Sequence, residues 1–233
     1  RRGGAIYVNS SQNTDSKKTV IKNVTFENNA LTDSSDVGKR YGEILYVANN
    51  STVTVSGDIA TIIAEEEKHQ IYIAERATVI FSKARFVSAE GAEIETKITV
   101  ESVENGLNAD HGQIEMDCQS YLTDVYFKPT KMERLNRQII YVSGNIANYI
   151  GDRNRIRLHL VNVDPLYKLN GLHMVKFDDD QMAIGAESCF ELIEETAKFV
   201  LSPNSRYLDI VKVAESIKVD PNGGELTYNG LTY

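Results

Sequence analysis

The chain of 233 residues has no tryptophan, only two cysteines and only four prolines. Two thiols cannot build the disulfide framework of a small secreted scaffold. Four prolines leave long stretches free to pair as strand. No apolar run approaches the roughly 18 residues that span a bilayer, so no direct membrane insertion is expected. Basic residues are the minority, 25 Lys+Arg against 33 Asp+Glu, for a formal net charge of −8. That balance argues against a global polyanion-binding role and hence a nucleic-acid partner, while leaving a local basic patch open. The four histidines (His69, His111, His159, His173) show no metal-ligand spacing. A glycine-rich phosphate loop, a nucleophile elbow and a Cys-His signature are also missing, so no cofactor is expected.

What remains is an ordinary folded chain, 42% hydrophobic and 25% charged, too apolar for disorder. Its length suits one large domain or two small ones. Both ends read as cut. The chain opens on Arg1-Arg2-Gly3-Gly4-Ala5-Ile6-Tyr7-Val8 and closes on a turn leading into Leu226-Thr227-Tyr228. The expected organisation is a domain over residues 1–220 and, at 221–233, a linker or the start of a following repeat.

A degenerate repeat runs through the sequence. A β-branched run with a central tyrosine recurs as Ile6-Tyr7-Val8, Leu45-Tyr46-Val47, Ile71-Tyr72-Ile73 and Ile140-Tyr141-Val142. A second apolar alternation follows each of the first three: Val20–Phe26, Ser51–Ser56 and Ala77–Phe81. His111-Gly112-Gln113-Ile114-Glu115-Met116-Asp117 reads as a weaker copy. In the segment before residue 101, Ile94, Thr96, Ile98 and Val100 share one face while Glu93, Glu95, Lys97 and Glu101 share the other, a clean period of two. Asn-Gly pairs at 105, 170, 222 and 229 mark turns. The pattern is strand, turn, strand, with one helical stretch expected over Phe190–Phe199. Spacings of this size suit solenoid coils of roughly 20–30 residues, and about eight or nine would fit. Periodicity alone supports a repetitive all-β chain.

Gly3-Gly4-Ala5-Ile6-Tyr7-Val8 followed by Ile21-Lys22-Asn23-Val24-Thr25-Phe26-Glu27-Asn28-Asn29 resembles the repeat of bacterial surface β-helices, carried by polymorphic outer-membrane proteins and related adhesin-like proteins. The stretches Asn170–Phe177, Phe190–Leu192 and Phe199–Leu208 look like the end of an autotransporter-type passenger. The tail Gly224–Gly230 is similar to the entry of small Ig-like or MBG-type surface repeats. These resemblances imply an all-β, right-handed parallel β-helix with irregular coils and C-terminal capping strands. They imply an extracellular or cell-surface setting, and none carries a catalytic residue.

The sharpest local feature is Arg153-Asn154-Arg155-Ile156-Arg157-Leu158-His159-Leu160. In a strand Arg153, Arg155, Arg157 and His159 project from one face. Guanidinium groups pair bidentately with planar anions, so the row suits a sulfated or uronic glycan. Its bland reading is a solvated ladder neutralised by acids on neighbouring rungs, such as Glu93 and Glu95 or Glu115 and Asp117. Tyr7, Tyr46, Tyr72 and Tyr141 read either as a platform for sugar faces or as a structural aromatic ladder. Asp178-Asp179-Asp180 lacks the glycine and distant glutamate of an EF-hand and reads as a polar loop. Asn13-Thr14-Asp15, His111-Gly112 and Arg155-Ile156-Arg157 resemble polygalacturonase segments in order, but the paired aspartates are missing, and inverting hydrolysis needs two carboxylates. Cys118 reads as a buried thiol in step with Ile114 and Met116.

The expected function is a non-catalytic module of a secreted or surface adhesin-like bacterial protein, monomeric, with a host glycan or matrix protein as partner. The alternatives are a carbohydrate-active lyase or hydrolase and a purely structural spacer. An adhesin requires an uncompensated basic or aromatic surface. A spacer requires ladders neutralised by their neighbours.

Overall fold

The computed structural model describes residues 5–9, 19–27, 42–62, 70–105, 108–127, 134–135, 138–144, 155–161, 172–178, 186–194, 197–202, 206–213, 218–219, 226–228 and 231–232. Its strands are β1 (Ile6–Val8), β2 (Thr19–Glu27), β3 (Leu45–Val47), β4 (Thr52–Ile62), β5 (Ile71–Ile73), β6 (Thr78–Val87), β7 (Lys97–Val100), β8 (Ser102–Asn105), β9 (Asn108–His111) and β10 (Gln113–Asp117). They continue as β11 (Asp124–Phe127), β12 (Arg134–Leu135), β13 (Ile140–Ser143), β14 (Ile156–Leu160), β15 (Leu172–Phe177), β16 (Phe190–Ile193), β17 (Ala197–Leu201) and β18 (Tyr207–Lys212). The last three are β19 (Lys218–Val219), β20 (Leu226–Tyr228) and β21 (Leu231–Thr232). Among the described residues the single helix is α1 (Ala186–Cys189), four residues long. None is long and apolar enough to cross a membrane, which leaves strand-built barrels untouched.

The chain is all-β with two large, mainly parallel sheets. The first has the order β1-β3-β5-β7-β11-β14-β16, parallel throughout. The second runs β2-β4-β6-β10-β13-β15 in parallel. It then turns antiparallel at β18 and β17. Along the chain, strands of the two large sheets alternate from β1 to β17. Neighbouring strands within each sheet lie about 4.8 Å apart. In the first sheet, partners in register stand 39 residues apart across β1 and β3, then 26 or 27 apart from β3 to β11. Across β11 and β14 the separation is 33. The first sheet holds seven strands among the described residues.

Alternation along each strand builds the core. Ile71 and Ile73, Ile98 and Val100, Val125 and Phe127, and Ile156 and Leu158 point inward from the first sheet. Val53 and Val55, Val79 and Phe81, and Ile114 and Met116 come from the second and join the same cluster. Two smaller sheets accompany these: β8 and β9 antiparallel with β12 alongside β9, and β19-β20-β21, both pairs antiparallel.

The long strands β2, β4 and β6 bend in mid-course at Asn23, Gly57 and Lys83, whose φ values are +49°, +69° and +52°. The registers shift at these places. A left-handed lysine costs about 1–2 kcal/mol. Its N–H is held by Asp117, 2.9 Å from Oδ2, which fixes the bend.

The helix expected over Phe190–Phe199 is absent. Phe190 and Leu192 instead take register beside Ile156 and Leu158, and strands β16 and β17 occupy the region. Pairing to a preformed sheet edge outweighs weak local helix preference. The two cysteines form no disulfide; Cys189 is buried and Cys118 half-buried against the core.

Candidate functional site

Residues pointing outward from the first sheet form two rows. One runs in direct register through Tyr7, Tyr46, Tyr72, Thr99, Tyr126, His159 and Ile193. The other runs through Lys97, Asp124, Arg157 and Glu191, so that opposite charges alternate from strand to strand. Both follow from period-two alternation in short strands whose intervening residues are aliphatic.

The first row begins as a tyrosine stack. Tyr7 and Tyr46 rings lie 5.3 Å apart at 13°, and Tyr46 and Tyr72 lie 5.0 Å apart at 9°. Tyr46 is 2% exposed and Tyr72 6%, whereas Tyr7 is 48% exposed. Stacking occupies both faces of Tyr46. A sugar needs a free ring face, and of these three rings only Tyr7 is substantially exposed. Thr99 interrupts the row, which resumes with Tyr126 stacked on His159 at 4.3 Å and 9°.

Asp124 is the centre of the second row. Its side chain is only 4% exposed. Nη2 of Arg157 lies 2.5 Å from Oδ2, and Nε2 of His159 lies 2.6 Å from Oδ1. The same Nη2 reaches Oε1 of Glu95 at 3.0 Å. Arg157 thus spends one nitrogen on two carboxylates, while its Nε is buried without a hydrogen bond among the described residues. Burial by itself would raise the Asp124 pKa. Hydrogen bonds from Arg157, His159 and Thr123 outweigh it and hold the carboxyl below the ordinary aspartate range. The bond to Asp124 pushes the Arg157 guanidinium up, against burial, with Glu95 adding to it. Burial, then the Asp124 charge, pushes the Tyr126 phenol up. Below this cluster Thr96 and Thr123 exchange N–H to Oγ1 bonds of 2.8 and 2.9 Å, locking β7 to β11 at their starts.

Comparison with family models, curated proteins and solved structures finds no match.

The cluster's chemistry is that of a saturated ion pair. A carboxylate held ionised and almost wholly buried neither donates a proton near neutrality nor offers a face to a substrate. Among the described residues no group of three or more His, Cys, Asp or Glu could hold a metal ion. His111, the histidine of the polygalacturonase-like segments, is 1% exposed and packs edge-on to Phe127. It cannot touch a polysaccharide from there.

The candidate residues therefore separate. Arg157 and His159 meet on Asp124, and Arg155 is exposed at the entry to β14. Arg153, Asn13-Thr14-Asp15, Asp179 and Asp180 lie outside the described residues. Tyr7, Tyr46 and Tyr72 stack, but Tyr141 belongs to the other sheet. There it pairs in register with Glu115 and Lys176 and donates its hydroxyl to Asp178. Its flanking Ile140 and Val142 mimic the tyrosine motif because inward aliphatics flank the outward position in both sheets. Of the acids proposed as neutralisers, Glu95 meets Arg157, whereas Asp117 instead caps the turn at Ser82, Lys83 and Ser120. Sequence reasoning missed Asp124 and Tyr126. Their signal was Asp124-Val125-Tyr126, the same alternation as Arg157-Leu158-His159.

Proposed function

We propose that the chain is a non-catalytic β-solenoid module, a right-handed parallel β-helix, of a secreted or cell-surface bacterial adhesin-like protein, and that this part serves as its rigid stalk. The motif from Gly3 to Asn29 supports the setting by resemblance. The alternation of strands between two parallel sheets, with like side chains in register, supports the solenoid. The observation that carries the stalk reading is the pairing of Arg157 with Asp124 and Glu95. Two members of the basic row, Arg157 and His159, are paired with neighbouring carboxylates, and the stacked tyrosines mostly cover each other. Both arrangements stiffen the rung-to-rung contacts and leave little for a ligand.

A ligand-binding face is the second reading, favoured by exposed Arg155 and by the half-exposed ring of Tyr7. Binding of the purified protein to an array of glycans and matrix proteins, beside an Arg155→Ala/Arg157→Ala variant, separates the two. A stalk gives no binding by either protein. Salt-sensitive binding lost in the variant overturns the stalk reading and makes this row the ligand site.

A further inference from the structure

We draw no further inference here: the strongest candidate, the outer edge formed by β1 and β2, which have no further strand beside them among the described residues and where Tyr7 and Val20 are exposed, carries nothing because nothing in the structure shows what covers it.

Discussion

Arg157 and Asp124 face each other across adjacent parallel strands, in register at their Cα atoms and 2.5 Å apart at Nη2 and Oδ2. The arginine side chain is 36% exposed and the aspartate almost wholly buried. Removing the arginine leaves a buried carboxylate held by His159 and Thr123 alone, whereas removing the aspartate leaves a cation that still has water and Glu95. Arg157→Ala should cost about 2 kcal/mol, between the ranges for surface and buried pairs. Asp124→Ala should cost less. A double-mutant cycle by urea unfolding should return a coupling of about 1–2 kcal/mol. Additive effects would mean the contact is incidental.

The same pair sets an acid dependence. The folded pKa of Asp124 is lowered. Its contribution is therefore fully present above the unfolded aspartate value of about 3.9 and is lost as pH falls through the lower folded value. The stability gap between the native chain and Asp124→Asn should be constant at neutral pH and close below about pH 4. A gap that widens on acidification would have the sign backwards.

The tyrosine stack predicts a gradient along one row. Tyr46 has a ring on each face and is buried, so Tyr46→Ala should cost about 3–5 kcal/mol, as for other large buried aromatics. Tyr7 stacks on one side and is half exposed, so Tyr7→Ala should cost under about 1 kcal/mol. Denaturant midpoints of the two variants decide this. Equal losses would show that neither burial nor the second stacked ring sets the cost.

Gly57 tests the bend shared by β2, β4 and β6. Its φ is +69°, and a Cβ there would sit 2.0 Å from Oδ1 of Asn23, the oxygen that accepts the Asp58 N–H. Gly91 has a similar φ of +82° with nothing within 4 Å of the added atom. Gly91→Ala should then show the conformational cost alone, about 1 kcal/mol. Gly57→Ala should lose clearly more, and Asn23→Ala in the same chain should recover part of the difference. Thermal unfolding that ranks the two glycines equally would remove Asn23 from the account.

Strand content and the inward rows were legible in the sequence because a half-buried strand must alternate, and Ile71-Tyr72-Ile73 or Lys97–Val100 do so without interruption. Periodicity supported a repetitive all-β chain, and the two large sheets are indeed built of strands that alternate along the chain. What the pattern does not encode is which of two sheets a motif joins. Ile140-Tyr141-Val142 has the same alternation as its three look-alikes, yet Ile140 pairs with Ile114 in the second sheet. Rung spacing hid the partner of Arg157 for a related reason. After regular steps of 26 and 27 residues, the step from Asp124 to Arg157 is 33, so a fixed period points elsewhere. Phe190–Phe199 failed in the opposite direction, where a short local pattern was overridden by the edge of β14.

Tyr141 gives an alkaline test independent of the acid one. Its phenol donates to Asp178, and that bond first, then burial, then the charges of Asp178 and Glu115, push its pKa up to about 12. The folded chain thus keeps a proton that the unfolded chain has lost. The associated stability is complete below the unfolded tyrosine value of about 10 and is lost as pH rises through the folded value of about 12. Phenolate absorbance should show Tyr141 among the late-titrating tyrosines of the native protein. Tyr141→Phe should remove one group from that late class. Asp178→Asn keeps the phenol but removes the charge, and should return it to the ordinary class. An unchanged late class in the phenylalanine variant would break the link to Asp178. Since Lys176 lies 5.6 Å over the same ring, Lys176→Met serves as the control. A lysine amine is ordinarily neutral by the pH at which this phenol titrates, so this variant should leave the late titration in place, unlike Asp178→Asn.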